Sequence, residues 1–318
     1  MRLMSLMAFR SSRRLSFAVW LGLLGQLLWG TYPVVGKRAI LEVPKFSLLL
    51  FATMGSASVG WWLARREEGF SAAQMLQWFR QEKTLWALAL FVVLRSVSNL
   101  LAFDLTKATW VQLVYLLTPF TVAIFGALLF KEPTPPYTYQ ALVVSSVGAA
   151  LVIVKDWRHV WSSFAADDLV GLGLALLSML SLAVYFLLVR RSSKRATGRG
   201  MILLPQGLVL VLTYLGLTLA TGEHWQAWAH LSTTGWLAAC WVVMGVFMLA
   251  NVLQITALSG ANPALITSLM PLRLVSAIGL GWLLLGERLT TPAQWLGAAL
   301  VLSTVSGYLW LQRSDQGG

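Results

Sequence analysis

The chain has 318 residues, 58% of them hydrophobic and 11% charged, with a mean hydropathy of +0.72. So few charges cannot cover so much apolar surface in water, which excludes a soluble domain and implies a polytopic α-helical membrane protein. The net charge of +12 would suit nucleic acid in a soluble protein, but here the basic residues gather in loops on one side of the apolar runs, and the single cysteine, Cys240, excludes an intrachain disulfide and a thiolate metal cluster.

The N-terminus, MRLMSLMAFRSSRRL, resembles the positive region of a signal peptide. The apolar run after it is too long, lacks a clear small-residue cleavage site and is followed by more spans, so it reads as a retained first helix. Ten apolar runs of about the length that a hydrocarbon core requires follow in order. They lie at 16–36, 46–64, 84–106, 109–130, 137–154, 169–190, 201–221, 235–258, 262–285 and 292–312. Pro, Gly and charge clusters mark the breaks: KRAILEVPK, RREEG, KEPTPP, RRSSKRATGRG and GERLTTP. Three connecting pieces, 70–82, 156–168 and 223–233, are aromatic and amphipathic. In the second, Trp157, Val160, Trp161 and Phe164 share one helical face, as in a helix lying flat in the membrane interface. Most of the 16 Trp fit interfacial belts or packing.

Lys and Arg set the orientation. With the N-terminus inside, fifteen fall in cytoplasmic segments and seven outside, so both termini are expected in the cytoplasm and the protein in the cytoplasmic membrane.

The chain also repeats itself. Asn99 to Pro119, NLLAFDLTKATWVQLVYLLTP, answers Asn251 to Pro271, NVLQITALSGANPALITSLMP, at an offset of 152. YPVVGKR from Tyr32 lines up with YFLLVRR from Tyr185, and LLFKE ending at Glu132 with LLLGE ending at Glu287. The expected organisation is a duplication: a first five-helix repeat over 16–154 and a second over 169–312. An odd number of spans per repeat inserts the second copy with reversed polarity. The fold class is then an all-α integral membrane protein of ten transmembrane helices in a 5+5 inverted repeat, a design typical of secondary transporters.

WGTYPVVGK in the first span, the turn between the third and fourth helices, LLFKE after the fourth span and LLLGERLT after the ninth resemble the drug/metabolite transporter superfamily, EamA-type. The resemblance covers 16–312 as two EamA-like units. It implies a ten-helix carrier that often exports amino acids, metabolites or drugs, with a central cavity lined by helices 1, 3, 4, 6, 8 and 9. The chain departs from the family pattern at LAFDLTKAT, which carries Asp104 and Lys107 where a cationic or polar residue followed by small residues is commoner.

Two arginines lie near the middle of spans, Arg95 in the third and Arg273 in the ninth. A charge at the bilayer centre costs about 3 kcal/mol on insertion scales. Neither has an acid within one helical turn, so a wet cavity that receives an anion accounts for both; capping of helix carbonyls, or a pair with Asp104 from another helix, is the structural alternative. Around them run polar stripes at helical spacing. Helix 1 offers Gln26, Trp29 and Tyr32, and helix 3 offers Asn99 beside Arg95. Helix 4 offers Gln112 and Tyr115, helix 6 Ser178, Ser181 and Tyr185, and helix 8 Asn251 and Gln254. Hydrogen bonding between helices explains such stripes equally well. Asp104 is the candidate proton-carrying carboxylate, whereas Glu132 and Glu287, at span ends, suit capping or loop pairing. Pro33, Pro119, Pro263 and Pro271 are places where backbone could open within a span.

The expected function is a secondary active transporter, an exporter of a small organic metabolite or drug bearing an anionic group, working by alternating access. No catalytic residue, cofactor or metal site is expected. The partners are the small-molecule cargo and the lipid bilayer, with no nucleic acid; a homodimer is compatible with this. A channel or scaffold without alternating access, and a membrane-embedded enzyme, are the competing classes. The three histidines lie outside the spans at no ligand spacing, and no phosphate loop or nucleophile elbow appears.

Overall fold

A computed structural model describes residues 2–68, 71, 83–131, 134, 136–154, 164–193, 199–260 and 269–315, the side chains of 2–16, 67–68, 83–85, 190–193, 199, 258–260, 309 and 312–315 excepted. Every regular element among them is a helix. In chain order these are α1 (Arg2–Ile40), α2 (Lys45–Glu68), α3 (Lys83–Leu105), α4 (Ala108–Tyr115), α5 (Thr118–Phe130) and α6 (Thr138–Ile153). Then come α7 (Ala166–Ser193), α8 (Arg199–Thr221), a 3₁₀ turn (Trp225–His230), α9 (Thr233–Cys240), a π-helical stretch (Trp241–Ala250), α10 (Asn251–Gly260), α11 (Pro271–Leu285) and α12 (Pro292–Asp315).

Seven helical segments are long and apolar enough to cross a membrane, and α6 and α11 are shorter apolar helices. Large apolar side chains such as Trp20, Trp62, Trp86, Leu128, Leu212, Leu219, Leu237 and Leu283 face outward. Backbone polar groups satisfied inside helices and an apolar outer surface are what lipid demands. The chain is a multi-pass membrane protein.

The interfacial helix expected over 223–233 is the short 3₁₀ turn Trp225–His230. Residues 70 and 72–82, and 156–163, lie outside the described residues, as do Glu132 and Pro263. Phe164 and Ala165 are not helical, and α7 takes over from Ala166.

Prolines shape the interior in two ways. Pro33 sits inside α1, which continues through it. Its missing N–H removes the helical partner of the Trp29 carbonyl four residues earlier. Pro119 and Pro271 instead restart helices. Between α4 and α5 the chain tightens, with Leu117 N–H donating to Val114 O, and the Thr118 hydroxyl then donates to the Tyr115 carbonyl, 2.5 Å. That hydroxyl takes the acceptor which Pro119, having no N–H, cannot serve. The two helices that begin at these prolines end alike, in a left-handed residue: Lys131 (φ 55°) after α5 and Gly286 (φ 66°) after α11.

The helices pair across the chain. α2 packs on α8, α3 on α7, α6 on α12, and α1 on α11, α10 and the π stretch. Small residues set the α2–α8 seam. A Cβ on Gly60 would lie 2.7 Å from the Leu204 backbone, one on Gly207 2.7 Å from Ala57, and one on Gly200 2.1 Å from Ala64. Rising numbers on α2 meet falling numbers on α8, so the pair is antiparallel. Close backbone approach replaces the hydrophobic drive that lipid cannot supply. Gly148 and Gly297 do the same for α6 and α12.

Candidate functional site

Trp29 is the centre of the site. In the apolar stretch Phe17–Ile40 it lies twelve residues from one end and eleven from the other, roughly 17 Å from each at 1.5 Å per residue. Arg95 has a similar place in Trp86–Leu105, nine and ten residues from the ends. Arg273 occupies the first turn of α11, where the helix restarts at Pro271. Gly30 permits the approach: a Cβ there would lie 2.7 Å from the Arg273 Cα and carbonyl oxygen.

Both guanidinium groups therefore meet one indole. The Arg95 Cζ is 5.8 Å and the Arg273 Cζ 5.7 Å from the Trp29 ring centre. Placed end to end, those two distances separate the charges by at most 11.5 Å. At an effective dielectric of about 20, such a pair repels by at least about 1.4 kcal/mol. Arg95 also lies 5.3 Å from the Tyr185 ring. Arg273 is buried and its Nε donates to Gln26 Oε1. Arg95 is half-buried. Among the described residues the ion pairs are Arg38–Glu42 and Lys45–Asp104, and neither Arg95 nor Arg273 has a carboxylate. A desolvated cation–π contact is worth about 2 kcal/mol, against an insertion cost of about 3 kcal/mol for each arginine. The aromatic rings offset part of that cost and leave both charges without a counter-ion.

An aromatic and polar shell holds this arrangement. Trp29 meets Tyr32 edge-on at 6.1 Å and Phe247 at 5.9 Å, and Tyr32 meets Phe103 and Phe247 at 5.2 and 5.4 Å. Phe247 lies in the π-helical stretch, a backbone form concentrated at functional sites. The Trp241 indole N–H at its start donates to the Thr31 hydroxyl, 2.9 Å, and so ties it to α1. Tyr115 shares a hydrogen bond with Ser178, whose hydroxyl donates to the Arg95 carbonyl, 2.6 Å. The Tyr185 hydroxyl donates to Gln206 Oε1, 2.9 Å.

Of the residues expected from sequence, the structure brings together Gln26, Trp29, Tyr32, Arg95, Tyr115, Tyr185 and Arg273. Asn99 follows Arg95 by one turn, and Gln112 is buried on α4. The Trp29 indole N–H, Tyr32 hydroxyl, Asn99 Oδ1, Gln112 Oε1 and Gln206 amide nitrogen are buried without a hydrogen-bond partner among the described residues. Buried polar atoms are nearly always partnered; three of these five sit on residues beside the cations, namely Trp29, which both arginines meet, Tyr32 against it, and Asn99 one turn from Arg95. Asn251 turns elsewhere, its amide donating to Phe247 O at 2.8 Å and reaching Ser56 at 3.4 Å. Gln254 is half-buried where α10 passes Gly25. Asp104 pairs with Lys45 at 2.5 Å.

Phe247 and Gln206 are missing from the sequence-based expectation. Gln206 was discoverable: it is a lone amide beside Pro205 in an otherwise apolar span. Phe247 carries no such mark.

At the end of the bundle that holds the α1–α2 turn, carboxylates join distant helices. Glu287 accepts from the Ala108 and Thr109 N–H groups, both 3.1 Å, and from the Thr109 hydroxyl, 2.8 Å, capping α4. Glu223 accepts from Phe46 and Ser47 N–H at 2.8 Å each and caps α2. Glu42 accepts from the Ser232 N–H and hydroxyl at the start of α9 and pairs with Arg38 at 2.7 Å. The Ser232 hydrogen bond above all, and then Arg38, hold the Glu42 carboxyl below its usual range. Asp168 accepts from the Thr106 hydroxyl, 2.7 Å, and Lys37 donates to the Thr106 carbonyl.

Residues 16–154 match the model of the EamA-like transporter family. No curated protein matches the chain. Among solved structures, one described only as the crystal structure of a protein aligns with a TM-score of 0.67 at 18% identity, over 94% of this chain and 98% of its own. The two share a fold.

Proposed function

Because residues 16–154 match the model of the EamA-like transporter family, we propose that the chain is a secondary carrier that exports a small organic anion across the cytoplasmic membrane by alternating access. The ten crossings are arranged as two inverted five-helix repeats, 16–154 and 169–312, with both termini cytoplasmic. Three features support the duplication. The helices that restart at Pro119 and Pro271 end in equivalent left-handed residues. α2 pairs antiparallel with α8, its counterpart. The pairing of α3 with α7 is answered by that of the α9–α10 span with α1.

The observation that carries the reading is the pair of guanidinium groups, Arg95 and Arg273, sharing Trp29 at mid-depth with no carboxylate beside them among the described residues. Intramembrane charges are functional by default. In this site the arginines hold the anion, while Trp29, Tyr32, Tyr115 and Tyr185 bound the apolar part. Gln26 orients Arg273. Asn99, Gln112 and Gln254 offer polar contacts along the path, whereas the Asn251 amide is taken by the Phe247 carbonyl.

Counterflow in liposomes tests this. Vesicles preloaded with an unlabelled aromatic anion should accumulate the labelled one transiently, with saturation. The Arg95→Gln and Arg273→Gln variants should lose the overshoot. Flux that never saturates and shows no overshoot would make the chain a channel.

A further inference from the structure

We infer that the cargo's head is doubly negative: a phosphate monoester or a dicarboxylate. The inference deepens the carrier reading by naming the charge of what the site takes.

It starts from charge balance. A monoanion would neutralise one of the two guanidinium groups and leave the other without a counter-ion beside Trp29. Among the described residues nothing else can neutralise it, because the nearest acids by sequence and contact are engaged elsewhere: Asp104 with Lys45, Glu287 with the α4 N-terminus, and Asp168 with Thr106. Polar neighbours of the two cations are neutral: Gln26, Tyr185 and, through the Arg95 carbonyl, Ser178. Two negative charges match the site and one does not.

Geometry allows one head to meet both. The two Cζ atoms are at most 11.5 Å apart, since they lie 5.8 and 5.7 Å from the same ring centre. In a forked pair the guanidinium carbon lies about 4 Å from the carboxylate carbon or the phosphorus, so the two forks are within reach of a single small dianion. The rings of Trp29, Tyr185 and Phe247 beside the charges leave an aromatic body as the natural remainder of the cargo.

The test compares four probes on the purified full chain in detergent at pH 8, read by intrinsic tryptophan fluorescence: phenyl phosphate, phthalate, terephthalate and benzoate. Phenyl phosphate, phthalate and terephthalate should each bind about tenfold or more tighter than benzoate. Arg95→Gln or Arg273→Gln should bring phthalate down to the benzoate level and leave benzoate nearly unchanged. Arg95→Lys and Arg273→Lys keep the charge and should keep the preference, which covers the case in which a glutamine variant does not fold. Benzoate binding as tightly as the dianions overturns the inference. Counterflow separates it from the carrier reading: overshoot with monoanions only would sink the dianion and spare the carrier, and dianion binding without any counterflow would do the reverse.

Discussion

Replacing Gly30 by alanine should force α1 and α11 apart where they carry the site. The added Cβ would lie 2.7 Å from the Arg273 Cα, 2.7 Å from its carbonyl oxygen and 2.9 Å from the Ser276 Cβ. Two of those atoms belong to backbone and cannot rotate away. Ordinary contact begins near 3.4 Å, so the helices must separate by about 0.7 Å or more. Overpacking of this kind costs about 1–3 kcal/mol, which corresponds to a fall in Tm of roughly 2–6 °C for a chain of this size. Gly279 on α11 is the control, because a Cβ there meets nothing within 4 Å. Gly279→Ala should leave Tm unchanged or raise it, since alanine favours a helix by about 1 kcal/mol over glycine. Thermal unfolding in detergent micelles, followed by tryptophan fluorescence, measures both. A second measurement joins stability to the site: the Arg273–Gln26 contact is already stretched in Gly30→Ala, so Arg273→Gln should cost less in that background than in the wild type. If Gly30→Ala were as stable as Gly279→Ala, the close α1–α11 approach that seats Arg273 beside Trp29 would be wrong.

Three further outcomes follow from contacts at the α1–α2 end. Glu287→Gln removes the negative charge from the cap on α4 and should lower Tm by about 2–4 °C, from a cost of about 1–2 kcal/mol; an unchanged Tm would mean that the cap contributes nothing. Glu42 has a depressed carboxyl in the folded protein, so its contribution is fully present above the ordinary carboxylate range and is lost as pH falls through the folded value. The Tm difference between wild type and Glu42→Gln should therefore be present at pH 7 and close on acidification, and a difference that widened in acid would contradict the hydrogen bond from Ser232. Lys45 and Asp104 are both about one third exposed, which limits their ion pair to under about 1 kcal/mol. Asp104→Asn should shift Tm by less than about 2 °C and leave counterflow within about twofold, whereas loss of its pH dependence would reinstate Asp104 as the proton carrier.

The features legible in the sequence are those that a single residue type imposes. A guanidinium in an apolar run has few tolerable surroundings, so Arg95 and Arg273 stood out, and the structure places both on Trp29. Proline acts on its own backbone, so Pro119 and Pro271 marked helix restarts without any tertiary knowledge. Partners that lie far along the chain left no trace. Asp104 read as a candidate proton carrier because Lys45, its partner, is 59 residues away. The stretch WVVMGVFMLA reads as plain apolar helix, and nothing in it announces the π winding that turns Phe247 toward Trp29 and Tyr32. Asn251 shared a polar stripe with Gln254, yet its amide satisfies the carbonyl of its own helix at Phe247.

The cross-chain pairing of α2 with α8, α3 with α7 and α6 with α12 has a consequence for biogenesis. When the ribosome has released residue 154, the faces of Gly60 and Gly148 have not yet met Leu204 and Gly297. The nascent first half waits in the bilayer with its backbone grooves against lipid tails, and its assembly is completed only as the later helices are inserted. A chain severed between 154 and 164 should therefore reassemble only when both pieces are synthesised into the same membrane.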